Sequence, residues 1–253
     1  MLTSLEGRVS EPDFNVRFNQ LLRQLGAHST FDGVTHTLHQ LNALLGCKGS
    51  IVSLCSGSSE EIEDYRFILA CDIDFKDQYR DNKWFQIDPY ILYAQTNTAP
   101  VLLEQVAVRS PGQKRLILAS RKAGYRSGAV IGVHSPVKTV AMSVLYIGSD
   151  DEGYFNEGSL EVVKMYLRAI AAEVLEWRLR YKRQQLLANV KLRQHECELL
   201  ALTRQGYSSQ EIAALHGKTK NAIDQALRRA SLKIGAESRA QAAKLAWELG
   251  LLS

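Results

Sequence analysis

Apolar positions in the first part of the chain recur at helical spacing and then give way to short β-rich runs. Residues 12–46 place apolar side chains every three or four positions, which predicts two helices, with Ser29 or Thr30 as the N-cap of the second. Two strand-like runs follow, Ser50–Cys55 and Tyr65–Cys71, and a polar turn separates them. The chain therefore begins with two helices and two strands.

The middle of the chain repeats this alternation. Helices are predicted over Asp74–Arg80, over Gly112–Ala123 and in the segment after Pro89. Proline is well placed in the first turn of a helix, so Pro89 indicates where that helix begins. Two β-rich runs, Ser127–His134 and Thr139–Gly148, predict a hairpin. This order of elements is of the α+β class and predicts an antiparallel sheet with helices on both faces.

A long amphipathic helix is predicted over Asn156–Arg183. One side of it is apolar and is expected to pack on its own sheet, and the remaining surface could pair with a second copy. Residues 179–191, rich in Arg, Lys and Gln, are assigned to a short linker that could be partly helical. The predicted organisation is a domain over 1–178, this linker, and a smaller domain over 192–253.

The charge of the chain is divided between these parts. From Trp177 to Ser253 there are 14 Lys/Arg and 6 Asp/Glu, a net charge of +8, against +4 for all 253 residues. The residues before Trp177 carry 17 basic and 21 acidic side chains, a net charge of −4. A basic module joined to a mildly acidic body is typical of a protein whose module binds the phosphates of nucleic acid.

The basic module has the pattern of a helix-turn-helix. Four short helices are predicted: Gln194–Thr203, Ser209–Leu215, Lys220–Lys233 and Ser238–Leu249. The third is the candidate recognition helix, because polar and basic side chains lie opposite its apolar stripe, and such side chains can pair with base edges or phosphates. The candidate DNA-binding residues are Lys218, Lys220, Asn221, Gln225, Arg228 and Arg229. The alternative is a solvated basic helix face.

Three segments of this module carry a family resemblance. Glu196-x-Glu198-Leu199-Leu200, Gly206-x-Ser208-x-x-Glu211-Ile212-Ala213 and Lys233-Ile234-Gly235-Ala236 resemble the DNA-binding domain of LuxR-type regulators over about 60 residues. The resemblance implies an all-α four-helix domain that binds double-stranded DNA. One position departs from the family, because Asp224 stands where a basic residue is usual.

The N-terminal body resembles the autoinducer-binding domain of the same family. The spacing Phe75-x3-Tyr79-x8-Asp88-Pro89 matches the family's Trp-x3-Tyr-x8-Asp-Pro, and Gly128 matches a later glycine. Leu103 stands where the family has a second tryptophan. The resemblance implies an α-β-α sandwich with an acyl-homoserine lactone held between sheet and helices.

The chemistry of these positions supports a polar anchor inside an apolar pocket. A buried carboxylate such as Asp88 needs a donor, and the amide N–H of a ligand can serve, while Tyr79 can donate its hydroxyl to a ligand carbonyl. Phe75 lacks the indole donor of the family's tryptophan. The candidate ligand-binding residues are Tyr79, Asp88, Phe75, Leu103 and Tyr146. The alternative is that Tyr79 and Asp88 only bond the backbone and the domain binds nothing.

The sequence gives little support for other classes of protein. The four cysteines have no metal spacing and indicate reduced thiols in the cytoplasm, and His36 and His39 lack a further ligand at a suitable spacing. No phosphate loop, nucleophile elbow or membrane-length apolar run is present. An enzyme, a cofactor, a metal and a membrane partner are therefore not expected.

The sequence thus predicts a cytoplasmic quorum-sensing transcriptional regulator that binds a small amphiphilic signal, with an acyl-homoserine lactone favoured. It is expected to be a homodimer, because one helix-turn-helix reads only a half-site. RNA polymerase is a further candidate partner. The alternative is a ligand-independent LuxR-type regulator whose N-terminal domain serves only dimerisation or protein contacts.

Overall fold

The computed structural model describes residues 4–57, 62–71, 73–135, 141–190 and 192–252. They form two compact units, the first ending at Trp177 and the second beginning at Arg178. The first unit contains α1 (Leu5–Val9), α2 (Phe14–Ala27), α3 (Phe31–Leu45), β1 (Gly49–Gly57), β2 (Ile62–Ala70), α4 (Ile73–Asp81), α5 (Pro89–Thr96), β3 (Val101–Leu102), α6 (Pro111–Lys122), β4 (Ser127–His134), β5 (Met142–Ser149) and most of α7 (Glu157–Val190). The second contains the end of α7, α8 (Gln194–Arg204), α9 (Ser209–His216), α10 (Lys220–Ile234) and α11 (Arg239–Glu248).

The five strands form one antiparallel sheet in the order β2-β1-β5-β4-β3. Ile51, Tyr146 and Val130 lie opposite one another across the three central strands, so they share one face. Every residue of β5 is buried, which requires cover on both faces of the sheet. Helix α3 packs on β1 and β2, and α5 packs on β4 and β5. The predicted antiparallel sheet is confirmed.

Short polar side chains begin the helices at the positions that the sequence indicates. Thr30 Oγ1 accepts a hydrogen bond from the Gly33 N–H at 3.2 Å and so caps α3. Ser208 caps α9, while Glu211 reaches back to the Ser208 N–H at 2.8 Å and completes a capping box. Pro89 lies in the first turn of α5, as predicted.

A tryptophan near the middle of α7 fixes this helix within the first unit. Trp177 is 1 % exposed, and its Nε1–H donates to the backbone oxygen of His28 at 2.8 Å. Its ring meets Phe31 edge to face, with 4.9 Å between ring centroids. Side chain and hydrogen bond together join α7 to the start of α3.

The second unit is built from the apolar sides of four short helices. Leu200, Ile212 and Ala230 are completely buried in a single core to which α8, α9, α10 and α11 contribute. Glu196, 2 % exposed, accepts two hydrogen bonds from Lys233 Nζ at 2.7 and 2.8 Å and so links α8 to α10. Because a buried carboxylate is costly without a partner, this pair fixes the relative placement of the two helices.

Several boundaries differ from those predicted. The residues assigned to a linker, 179–191, continue α7 as far as Val190, and residue 191 lies outside the described residues. The strand predicted from Thr139 begins at Met142, and position 139 is likewise outside them. Helix α1 and strand β3 were not predicted, because segments of five and two residues are too short to show a hydrophobic period. Among the described residues, no helix has the length and apolar character needed to cross a bilayer.

Candidate functional site

A buried carboxylate lies at the start of α5. Asp88, 7 % exposed, is the N-cap of this helix, and its Oδ1 accepts from the Tyr90 N–H at 2.8 Å. Its Oδ2 accepts from the hydroxyl of Tyr79, on α4, at 2.6 Å. The aspartate type is explained locally by capping, since Asp is a preferred N-cap residue. The hydrogen bond from Tyr79 also joins α4 to the start of α5. A hydrogen bond to a charged acceptor is stronger than one to a neutral acceptor, so this link stabilises the site.

Burial controls the protonation of this pair. Burial raises the pKa of the Asp88 carboxyl above its ordinary value, and the hydrogen bonds from Tyr79 and from the backbone of Tyr90 and Ile91 offset part of that rise. Burial and the negative charge of Asp88 raise the pKa of Tyr79 well above its usual range. Tyr79 therefore remains a neutral phenol at ordinary pH and donates its hydroxyl to Asp88.

A second polar pair faces the same interior. The hydroxyls of Ser120, on α6, and Tyr146, on β5, are 2.8 Å apart. Tyr146 stacks on Tyr90, with 5.4 Å between ring centroids, and burial raises the pKa of its phenol. With Ser53 and Tyr90, six hydroxyl or carboxyl side chains thus lie among apolar ones, which is an arrangement suited to orienting a mainly apolar ligand.

The cavity between these groups is small. Its volume is about 20 Å³, which is room for about one water molecule. Phe75 and Tyr125, with 5.5 Å between ring centroids, and Trp84, 7 % exposed, fill the surrounding space. The cavity is lined by Ile51, Ser53, Phe75, Tyr79, Asp88, Tyr90, Ile91, Leu116, Ser120, Val144 and Tyr146. A ligand with a tail can enter it only if aromatic side chains move.

The structure brings together four of the five predicted ligand-binding residues. Tyr79, Asp88, Phe75 and Tyr146 line the cavity, but Leu103 does not. Leu103 lines a neighbouring cavity of about 50 Å³, next to Gly128. A methyl group at Gly128 would lie 2.6 Å from Leu103 Cδ1 and would also collide with the backbone oxygen of Ile147. Glycine at this position therefore allows close packing of β4 against β5 and Leu103.

Other cavity residues were missed by sequence reasoning. Ser120 and Leu116 lie one turn apart on the buried side of α6, so the period of that helix could have identified them. Trp84, which packs around the cavity, lies inside the matched segment, and Tyr90 follows that segment directly; their size indicated burial near Asp88. Tyr125 carried no usable signal, because it lies in the connection before β4.

The predicted DNA-binding residues form an exposed surface on the second unit. Lys218 lies in the turn between α9 and α10, and the others lie on α10, opposite buried Ile223 and Leu227. Gly217, with φ of 60°, ends α9 and makes the tight connection possible. We call these residues the α10 face: Lys218, Lys220, Asn221, Gln225, Arg228 and Arg229, all exposed.

Comparison with known proteins gives the class. The autoinducer-binding-domain family matches residues 30–178, the range that contains the sheet, the Asp88–Tyr79 pair and α3. The chain belongs to this family, which is the autoinducer-binding domain of LuxR-type regulators.

Individual relatives agree with this class. The transcriptional activator protein VanR of Vibrio anguillarum is 23 % identical over 229 residues, covering 90 % of this chain and 92 % of VanR. Escherichia coli SdiA has a similar structure, with a TM-score of 0.64, 18 % identity, and coverage of 95 % of this chain and all of SdiA. A structure of SdiA in complex with octanoyl-rac-glycerol gives a TM-score of 0.60 at 17 % identity, over 96 % of this chain and 98 % of SdiA. These structural likenesses show a shared fold.

Proposed function

We propose that the protein is a quorum-sensing transcriptional regulator and not an enzyme. In this proposal the first unit binds a small amphiphilic signal, with an acyl-homoserine lactone favoured, and the α10 face binds double-stranded DNA. The observation that carries the proposal is the buried Asp88–Tyr79 pair at a cavity within the range matched by the autoinducer-binding family. VanR, described as a transcriptional activator, supports the regulatory role.

The ligand part of the proposal follows from the donors and acceptors of the cavity. Asp88 Oδ2 keeps acceptor capacity beyond its bond from Tyr79, and the amide N–H of a lactone would supply a donor worth about 1.5–3 kcal/mol. The hydroxyls of Ser120 and Tyr146 can turn toward a ligand carbonyl. Phe75 offers an apolar wall and no donor, so the head group would be held by fewer bonds than a tryptophan permits.

The DNA part of the proposal follows from the shape and charge of the second unit. Two short helices joined by a tight turn, with α10 carrying exposed Asn, Gln and Arg side chains, support a helix-turn-helix reader. Asn221 and Gln225 suit adenine, and Arg228 suits guanine or phosphate. Binding as a homodimer would present two copies of the α10 face to two half-sites. RNA polymerase is a further proposed partner.

One observation favours a second candidate function, a ligand-independent regulator. The cavity holds only about 20 Å³, and Asp88 already accepts hydrogen bonds from the Tyr79 hydroxyl and the Tyr90 N–H. A first unit that serves only dimerisation or protein contacts would need no more space than this. The two candidates differ in whether any lactone stabilises the folded chain.

A lactone panel distinguishes these candidates. We expect acyl-homoserine lactones of increasing tail length to raise the melting temperature of the full chain, because a ligand that binds only the folded state stabilises it. In Asp88→Asn this rise should be lost, because the carboxylate acceptor is gone. Asp150→Asn, the same change at an exposed site, should respond like the parent chain. A flat response of the parent to every lactone would favour the ligand-independent regulator.

The DNA part is tested with a duplex that the full chain selects from a random library. We expect Arg228→Ala to weaken binding and to lower the slope of log K against log salt by about 1, because one phosphate contact is lost. Lys244→Ala, an exposed change on α11, should leave the slope unaltered. Titrations at several salt concentrations measure both quantities. If the Arg228→Ala slope equals that of the parent, Arg228 makes no phosphate contact.

A further inference from the structure

The first unit also contains a cavity that is larger than the one at Asp88. An open cleft of about 720 Å³ lies between α4 and α6, against the residue that precedes β1. Its volume falls within the range of about 300–1,000 Å³ that is usual for small-molecule sites. The cleft is lined by Lys48, Asp74, Phe75, Gln78, Asn82, Trp84, Arg115, Leu118, Ala119, Lys122 and Ala123.

The floor of this cleft is apolar. The rings of Phe75 and Trp84 are both buried, with 6.5 Å between their centroids, and Ala119 and Ala123 lie beside them one turn apart. Small alanines on α6 leave the space that longer side chains would fill. Leu118, 60 % exposed, extends the apolar surface at the edge. Such a floor suits an alkyl chain, because burying apolar area is favourable at about 25 cal/mol per Å².

The rim of the cleft is cationic. It carries Lys48, Arg115 and Lys122, against one acidic residue, Asp74. In the part of the chain that the structure describes, none of the three cations forms an ion pair within 4 Å, whereas the neighbouring Arg121 pairs with Glu152 at 3.3 Å. Three cations with no ion pair to any described residue, arranged around an apolar floor, give the cleft a positive potential that attracts an anion.

We propose that this cleft binds an anionic amphiphile, a medium-chain fatty carboxylate, with its alkyl chain on Phe75 and Trp84. The carboxylate is held by the rim cations, of which Arg115 can donate two parallel hydrogen bonds to it. This site is separate from the Asp88 cavity and differs from it in charge, since a lactone head group is neutral. The inference therefore goes beyond the proposed function.

Phe75 connects the two sites, because its ring borders both the cleft and the Asp88 cavity. A chain lying on the cleft floor contacts the same ring that closes the cavity around Tyr79 and Asp88. A ligand in the cleft would therefore influence the packing around Tyr79 and Asp88 through the Phe75 ring, without touching the oxygens of either residue.

The experiment is a calorimetric titration of the full chain with sodium decanoate, below its micelle concentration, and with decanol as the uncharged match. We expect decanoate to bind and decanol to bind at least tenfold more weakly. The double variant Arg115→Glu/Lys122→Glu should bind decanoate at least tenfold more weakly than the parent. The matched control is Arg109→Glu/Lys114→Glu, which makes the same charge changes at exposed positions outside the cleft and should lose much less.

Each contrary result overturns the proposal. The proposal fails if the parent chain does not bind decanoate, or if it binds decanol as tightly as decanoate. It also fails if both double variants lose the same amount of decanoate affinity. A decanoate affinity that falls in Asp88→Asn as far as in the cleft variant would place the ligand in the buried cavity instead. Lactone binding is measured on the same variants. In the proposed function it depends on Asp88 and not on the cleft cations, so the lactone hypothesis and the cleft hypothesis can fail independently. Melting temperatures confirm that each variant is folded.

Discussion

Replacing Trp177 by alanine should lower the free energy of unfolding of the first unit by about 3–5 kcal/mol, the range for removing a large aromatic side chain from a core. Trp177 is 1 % exposed, contacts Phe31 edge to face, and donates to the backbone of His28. Its loss would remove apolar contacts and take the indole donor away from the half-buried His28 carbonyl. Urea unfolding of the full chain, followed by circular dichroism, measures the change.

Two further variants separate these contributions. Trp177→Phe keeps an aromatic ring and loses the indole N–H, so its cost should be smaller, about 1–3 kcal/mol. Trp247→Ala provides the contrast, because Trp247 is 42 % exposed and lies under the Arg204 guanidinium in the second unit. If Trp177→Ala cost no more than Trp247→Ala, the contact between α7 and α3 would not stabilise the first unit.

Lys233→Met should destabilise the second unit by about 2–3 kcal/mol at pH 7. Removing one partner of a buried ion pair leaves the other charge uncompensated, which costs about 3–5 kcal/mol when both are fully buried, and the 30 % exposure of the Lys233 side chain reduces this. Glu196 would keep only the backbone N–H of Arg193 as a donor. Scanning calorimetry of the full chain measures the effect, and Lys244→Met, at an exposed position, is the control.

The destabilisation by Lys233→Met should shrink as the pH falls. Burial alone would raise the pKa of Glu196, but the hydrogen bonds from Arg193 and Lys233 outweigh it and hold that pKa below its usual value. A lowered carboxyl pKa stabilises the folded state above the unfolded pKa of about 4.3 and loses this effect as the pH falls through the folded pKa. In Lys233→Met the Glu196 carboxylate is buried without its cationic partner, and protonation of Glu196 at low pH removes the cost of burying that charge. A difference that stays constant between pH 7 and pH 4 would contradict this account.

Much of the fold could be predicted because local and long-range signals agree. Caps at Thr30, Ser208 and Thr219 begin helices where the apolar period also begins, and these boundaries agree to within one or two residues. Helix α7 runs on to Val190 through a stretch assigned to a linker that could be partly helical, and residues 184–188 of that stretch are Gln, Leu and Ala. Such residues are good helix formers, so intrinsic propensity can extend a helix beyond its packed part.

The candidate site was predictable only where spacing fixes geometry. Tyr79 and Asp88 stand nine residues apart across α4 and the start of α5, and the structure brings their oxygens to 2.6 Å. The structure places Leu103 at a neighbouring cavity, a position that depends on how β3 and the following turn meet Gly128, which is a tertiary contact. The small cavity volume was equally hidden, since it results from the packing of Phe75, Trp84 and Tyr125.

The residues that bury α10 in the core are different from those of the α10 face, and this separation affects how readily the exposed surface can change during evolution. Ile223, Leu227 and Ala230 hold the helix in the core, while the α10 face is exposed. Exchanges at exposed positions usually change stability by less than about 0.5 kcal/mol. If this surface reads DNA, Asn221 or Gln225 can be replaced without risk to folding, so the preferred operator can drift between lineages, or be re-engineered, on an unchanged scaffold.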